Sequence, residues 1–337
     1  MIKAVRISYV FIVSTLVVVG WLHLATPVIT ALFAYFALDK LNFTGRKWVA
    51  LTLFVLLACG IFYGFAYFLK QAFVALPQIV SESVPSIIQY AEKRGLELPF
   101  DDVNSLKALL LDTIKAQLRY LGNFARIATK EFVFLVIGLA VAISIFFNPK
   151  LDLGRGSYAI KNNLYSLCSD QIAARFRSLY HSFATVMGAQ IIISVINTLL
   201  TSIFVLSISL PYSAVVIGST FLCGMIPIIG NLISNSVIVG LAFTISPQLS
   251  IAALVFLVAL HKLEYFLNSK IIGDRIKNPF WLTLLGLVLG EKLLGIPGMI
   301  LAPVILNYIK VEASLVAVDE SDGRSQTVSA HKSRGWF

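Results

Sequence analysis

Long apolar runs separated by short polar segments make up most of the chain, and two of these runs are broken near their centres. The broken runs are 212–245 and 280–310, and the residues that interrupt them are Pro227, Gly230, Gly295, Pro297 and Gly298. Each half is about 15 residues, or ~20 Å of helix, which is shorter than the ~30 Å hydrocarbon core of a bilayer. Proline removes a backbone donor, and glycine permits a sharp turn. The pattern therefore predicts two re-entrant helical hairpins.

The same plan occurs twice, because each broken run follows an unbroken apolar stretch. These stretches are 183–209 before the first hairpin and 249–267 before the second. Paired interruptions in corresponding halves of a membrane protein indicate the binding site of a transporter. We predict that the two tips meet near the midplane, around a small aqueous site.

The amino-terminal part predicts further membrane helices. Residues 7–38 are apolar except for His23 and a break at Thr26-Pro27, and basic residues flank both ends. Since basic residues favour the cytoplasmic side, a two-helix hairpin is favoured over one long tilted span. Residues 48–69 and 131–147 predict two more spans.

The region 71–130 differs in character, because it mixes acidic and basic residues with apolar positions. Apolar residues at 106, 109, 110, 114, 118 and 121 follow the period of an amphipathic helix. Asp102 or Asn104 is a candidate N-cap, and another helix is predicted to start near Pro85. We expect an extramembrane helical insertion, either as a cover over the membrane domain or as a surface for a partner.

Basic residues set the orientation of the predicted spans. The segment 148–180 and the residues Lys270, Arg275 and Lys277 are expected in the cytoplasm. The hairpin 212–245 then dips from outside, and 280–310 rises from inside, which makes an inverted repeat. The predicted parts are 1–70 (membrane helices), 71–130 (insertion), 131–180 (span and basic cytoplasmic loop), 181–311 (transport core) and 312–337 (disordered cytoplasmic tail).

Composition agrees with an all-α, polytopic integral membrane protein. Of the 337 residues, 58% are hydrophobic and only 13% are charged, whereas soluble domains carry about 25% charged residues. The sequence lacks HExxH, GxSxG and GxxxxGK[ST] motifs, and its three cysteines are isolated. We therefore predict no catalytic residues, no cofactor, no metal site and no nucleic-acid partner. The net charge of +10 is typical of a membrane protein whose basic residues gather in cytoplasmic loops that face anionic lipid.

Several polar residues lie inside apolar segments, where contact with lipid would be costly. They either line a hydrated pathway for a small polar solute or join helices by hydrogen bonds. For serine and threonine we favour helix joining, and we leave both roles open for the amides. The predicted solute-binding or ion-binding residues are Gln190, Asn197, Asn231, Asn235 and Glu291.

Charged groups near the second break have two interpretations. Glu291 and Lys292 either lie at depth, as a functional site, or have reached the far interface, where Lys292 extends toward water. His261 and Glu264 lie near the cytoplasmic end of their span. An interfacial position is favoured for this pair. We therefore assign His261, Glu264 and Lys292 only a supporting role.

The carboxy-terminal half resembles the autoinducer-2 exporter-like family of bacterial permeases. The stretches that carry the resemblance are Gly188–Gln190, Asn197, Ile226–Gly230, Glu264–Gly273, Pro279, Gly290–Gly295, Gly298 and Pro303. The sequence departs from the family pattern at Ser269, where a proline is expected, and at Glu291, which is often a small residue. The resemblance implies export of a small polar molecule such as the furanone autoinducer-2 in quorum sensing. Other members resemble sodium/proton antiporters.

We predict a multi-pass secondary transporter of the bacterial inner membrane that moves a small polar solute by alternating access. Coupling to H⁺ or Na⁺ and assembly as a homo-oligomer are further expectations. One alternative is a cation antiporter in which Glu291 binds the ion. Another is a non-transporting membrane scaffold that binds a partner through 71–130.

Overall fold

The computed structural model describes residues 2–94, 121–160, 163–226, 229–272 and 279–316. Within these ranges every regular element is an α-helix. The helices are α1 (Ile2–Trp21), α2 (Ala25–Leu41), α3 (Lys47–Arg94), α4 (Leu121–Phe147), α5 (Leu164–Ser207), α6 (Ser213–Gly224), α7 (Ile229–Ile245), α8 (Pro247–Ile272), α9 (Phe280–Leu294) and α10 (Ile296–Ser314).

Six described segments are long and apolar enough to cross a bilayer. They are Lys3–Trp21, Lys47–Gln71, Arg126–Phe147, Leu164–Ser207, Pro247–Glu264 and Ile296–Ser314. Their large apolar side chains are widely exposed, as at Trp21 (79%) and Phe62 (75%). An apolar surface of this extent requires lipid around it. The all-helical, polytopic membrane architecture predicted from the sequence is therefore confirmed.

The amino-terminal run forms two helices, as predicted. α1 ends at Trp21 and α2 begins at Ala25, with His23 in the left-handed region at φ 54°. α2 then packs tightly along α4. A Cβ on Gly138 of α4 would lie 2.7 Å from the carbonyl oxygen of Pro27, so glycine is needed for this close approach.

α3 corrects the prediction of a separate helix near Pro85. It runs without a break from Lys47 to Arg94 and passes through both Pro77 and Pro85. Each proline removes only one backbone donor, and the many remaining hydrogen bonds of a 48-residue helix keep it continuous. The candidate caps Asp102 and Asn104 lie outside the described residues.

α5 also starts earlier than the sequence suggested. Asn163 caps it by accepting a hydrogen bond from the backbone N–H of Ser166 (2.9 Å). The second part of the basic segment 148–180 is therefore helical and continuous with the following span. The tail beyond residue 316 lies outside the described residues.

The first hairpin consists of α6 and α7, which pack against each other and against α5 and α8. α6 ends at Gly224, and Pro227 is not among the described residues. A Cβ on Gly230 would lie 1.7 Å from the carbonyl oxygen of Cys223, so only glycine fits this turn. The apolar run is therefore interrupted between Gly224 and Ile229, as predicted, and Gly230 itself lies in the first turn of α7.

The second hairpin consists of α9 and α10, and Gly295 makes its break with φ 65° and ψ −148°. Pro297 lies in the first turn of α10, where its missing N–H would have no helical partner in any case. It therefore starts the second helix instead of interrupting one. α10 has 19 residues and is long enough to cross a bilayer, so the prediction that neither half could cross is wrong for this half.

Both hairpins pack against α5. Gly224, at the end of α6, accepts a hydrogen bond from Gln190 of α5 (2.7 Å). On α10, Ile300 packs against a buried cluster that includes Met187 of α5. Gly295 lies about 7 Å further toward the tip than Ile300. Contact between the two tips stays a prediction.

The order of elements repeats, since α5 with α6 and α7 corresponds to α8 with α9 and α10. Leu210, before α6, and Ala242, near the end of α7, belong to one buried cluster. Both ends of the first hairpin are therefore at the same end of the bundle. Their extracytoplasmic side and the opposed orientation of the two units remain predictions.

We expect cysteines placed at Pro211 and Ser246, in a variant without the three native cysteines, to react with a membrane-impermeant maleimide in intact cells. The first hairpin would return both positions to the side opposite the basic loops. Labelling of both positions only after permeabilisation would invert the topology. Labelling of one position alone would show that 212–245 crosses the membrane.

Candidate functional site

One face of α5 satisfies the exposed carbonyl groups at the end of α6. The Gln190 side-chain amide donates to the carbonyl oxygen of Gly224 (2.7 Å), and the Ser194 hydroxyl donates to that of Phe221 (2.9 Å). The last carbonyls of any helix lack helical partners, which is costly away from water. Gln190 was predicted to bind a solute or ion, and its amide is used here to stabilise the hairpin end.

The same face continues with two buried oxygen atoms that have no partner. Asn197 is 3% exposed and Thr201 is fully buried. Neither Asn197 Oδ1 nor Thr201 Oγ1 has a hydrogen-bond partner among the described residues. The two residues are four positions apart, so they lie on one side of α5.

Glu264 of α8 is the centre of a buried polar cluster. The Asn231 amide of α7 donates to Glu264 Oε2 at 2.6 Å, and the side chain of Asn197 also hydrogen bonds to this carboxyl group. His261 Nδ1 lies 3.7 Å from the same oxygen, one turn earlier on α8. Only 12% of the Glu264 side chain is exposed. Three helices therefore meet at one carboxyl group, which we name the Glu264 cluster.

This arrangement suits a proton or a monovalent cation. A carboxylate and amide oxygens are ligands that hard cations prefer, and Asn197 Oδ1 has no partner among the described residues. Asn231 lies within the first turn of α7, directly after the hairpin break. The state of the Glu264 carboxyl group can therefore affect the hairpin tip directly.

The other predicted residues lie outside this cluster. Asn235 is half-buried one turn beyond Asn231, and among the described contacts it does not bond Glu264. Glu291 and Lys292 are exposed in the last turn of α9. Lys292 borders a cavity beside the α1–α2 turn, together with His23. The structure therefore brings together Asn197 and Asn231 from the predicted set, with the supporting pair His261 and Glu264.

A second buried charged cluster was not predicted. Arg175 of α5 forms an ion pair with Glu312 of α10, and the Tyr9 hydroxyl of α1 donates to the same carboxylate (2.9 Å). The Arg175 guanidinium also lies 4.3 Å from the centre of the Tyr9 ring. Glu312 had been assigned to the disordered tail, but it is only 5% exposed and lies inside α10. Removal of either charge would leave the other buried and uncompensated.

Comparison with known proteins identifies the family. The model of the family described as "AI-2E family transporter" matches residues 5–314, which is most of the chain. The chain belongs to the AI-2E transporter family. The "Putative transport protein YdbI" of Bacillus subtilis (strain 168) is similar as well, at 22% identity over 324 residues and 90% of each chain. The AI-2E resemblance predicted from the hairpin motifs is thereby confirmed, and membrane transport is the activity that the family supports.

Proposed function

We propose that this AI-2E family transporter moves a small polar solute across the bacterial inner membrane by secondary transport, with Glu264 at its coupling site. The observation that carries the proposal is the buried Glu264 carboxyl group, bonded by Asn231 directly after the first hairpin break. An ionisable group inside a membrane domain is costly unless it is paired or hydrated, so such residues are usually functional. The cluster lies on the helices that the sequence assigned to the transport core.

Neutralisation of Glu264 would change the forces on the first hairpin. A hydrogen bond from an amide to a charged carboxylate is stronger than one to a neutral carboxyl group. When Glu264 binds a proton or a cation, the hydrogen bond that it accepts from Asn231 weakens, and the α6–α7 hairpin can move against α5 and α8. We propose that this movement alternates access to the two sides of the membrane. The remaining helices then form a scaffold and the contacts of a homo-oligomer.

The first solute to test is autoinducer-2, because the resemblance to the exporter family suggests it. Its small, hydroxylated furanone ring suits amide hydrogen bonds of the kind that Asn197 and Asn235 offer. Both side chains lie on helices that border the first hairpin or belong to it. The unpartnered side-chain oxygen of Asn197 would accept a hydrogen bond from a hydroxyl group of such a solute.

A second candidate function, sodium/proton antiport, is favoured by a separate observation. Asn197 hydrogen bonds to the Glu264 carboxyl group, and its Oδ1 is buried without a partner among the described residues, so a carboxylate and an amide oxygen are offered together. The cation would bind at Glu264 in this proposal, instead of at the exposed Glu291. Proton release from the same carboxyl group would couple the two ions.

Proteoliposomes containing the full chain separate these functions. We expect autoinducer-2 flux that requires an imposed H⁺ or Na⁺ gradient and stops when an ionophore collapses it. Sodium-dependent proton flux without any organic solute would instead establish the antiporter. If neither flux exceeds that of empty vesicles, both proposals fail, and the scaffold interpretation is favoured.

A further inference from the structure

A separate pocket with several polar lining residues lies between α5 and α10, near the ends that the charge pattern assigns to the cytoplasm. Its volume is about 370 Å³, which is within the usual range for small-ligand sites. We name it the α5–α10 pocket. Its polar lining consists of Arg177, Ser178, His181, Ser182, Thr185 and Asn307. None of these residues belongs to the Glu264 cluster.

The floor of the α5–α10 pocket contains a buried acceptor without a partner. Asn307 is 3% exposed, and no described group donates a hydrogen bond to its Oδ1. Ser182, on the facing helix, is 2% exposed. A buried acceptor that lacks a donor is unfavourable and rare in native structures. When the Asn307 amide turns toward the pocket, a hydroxyl group of a ligand there supplies the missing donor.

The rim of the pocket is basic. Arg177 and His181 are both exposed, one turn apart on α5. Among the described residues Arg177 forms no ion pair, and the two acidic residues that line a neighbouring cavity with it, Asp152 and Asp170, bond Ser166 and Arg155. Asp39 accepts a hydrogen bond from the Tyr180 hydroxyl (2.9 Å), and Glu312 is paired with Arg175. The Arg177 guanidinium is therefore free to bind a phosphate or carboxylate by paired hydrogen bonds.

We propose that the α5–α10 pocket binds a small hydroxylated anion, with its anionic group at Arg177 and His181 and a hydroxyl at Asn307. The basic rim and the unpartnered acceptor in the floor together select this chemistry, since a simple anion leaves Asn307 unsatisfied and a neutral polyol leaves Arg177 unpaired. Such a ligand is either a free cytoplasmic solute or the headgroup of an anionic lipid. The site does not depend on the proposed transport activity.

Calorimetric titration of the full chain in nonionic detergent tests the free-solute source. We expect glycerol 3-phosphate to bind at least about tenfold more tightly than inorganic phosphate or glycerol, because only it satisfies both ends of the pocket. Arg177→Gln is expected to weaken the binding of glycerol 3-phosphate by about tenfold or more. Asn307→Ala is expected to reduce its affinity to that of phosphate. The matched control is Arg46→Gln, which removes an exposed cation in the α2–α3 turn and should leave the affinity for glycerol 3-phosphate unchanged.

Nanodiscs test the lipid source. If the headgroup is the ligand, phosphatidylglycerol in a phosphatidylcholine disc raises the unfolding temperature of the native chain and of Arg46→Gln, but not that of Arg177→Gln. Arg177 is exposed, so this variant is expected to fold even if Asn307→Ala does not. If neither glycerol 3-phosphate binding nor the phosphatidylglycerol effect depends on Arg177, the proposal is overturned.

Discussion

Replacement of Glu264 by glutamine is expected to reduce gradient-driven transport by roughly 100-fold, because the proton or cation loses its charged ligand. The fold should persist, since a glutamine oxygen can still accept the hydrogen bond from Asn231 that Glu264 accepts at 2.6 Å. Initial rates of flux in proteoliposomes measure the effect. Size-exclusion chromatography of the purified variant shows whether it is folded.

Glu291→Gln is the matched control, because it makes the same chemical change at an exposed position on α9. Its transport rate should stay within about twofold of the native rate, as is usual for exposed sites that pair with nothing. Glu264→Asp should retain part of the activity, since the charge remains but its reach is shorter. A defect in Glu291→Gln together with an active Glu264→Gln would reject the Glu264 cluster as the coupling site.

Replacement of Gly298 by leucine is expected to abolish transport by forcing α9 and α10 apart. A Cβ on Gly298 would lie 1.9 Å from the carbonyl oxygen of Gly290, and a Cβ on Gly290 would lie 2.4 Å from that of Gly298. Two backbones meet here, so no side chain can move aside. We expect a loss of about 3 kcal/mol or more in stability, as in severe overpacking. The unfolding temperature in detergent and the flux in proteoliposomes measure the two effects.

Gly240→Leu on α7 is the control for the added hydrophobic volume. Apart from the nearby backbone of its own helix, no atom lies within 4 Å of the position where its Cβ would be, and the residue is exposed. We expect normal stability and normal flux in this variant. Both variants should still insert into the membrane, because leucine increases the hydrophobicity of each segment. Native stability and flux in Gly298→Leu would show that the hairpin does not need close contact between the two glycines.

The sequence predicted the helices and their breaks well, because both depend on local chemistry. Apolar length identifies a membrane helix, and glycine or proline identifies its interruption. What the glycines contact was harder to predict from the sequence. The structure places Gly230 and Gly298 each against the backbone of its own hairpin, at Cys223 and Gly290, whereas contact between the two tips stays a prediction.

The candidate site could be predicted only in part from the sequence, because burial depends on how distant segments pack. Glu264 and Glu291 are both single acids in apolar surroundings. Proximity to a break favoured Glu291, yet it is exposed, whereas Glu264 is covered by α5 and α7. The partners Tyr9, Arg175 and Glu312 come from three remote segments, so no local pattern could connect them.

The unbroken α3 helix extends well past the segment that is apolar enough to cross a membrane. Its membrane segment ends at Gln71, and the helix continues to Arg94. The remainder of the helix is about 34 Å long, so a tilt of the span by about 10° would displace its far end by about 6 Å. By reciprocity, a ligand that fixes that end also restricts the tilt of the span within the membrane. A rigid helix of this length therefore couples the position of its far end to the angle of the membrane span.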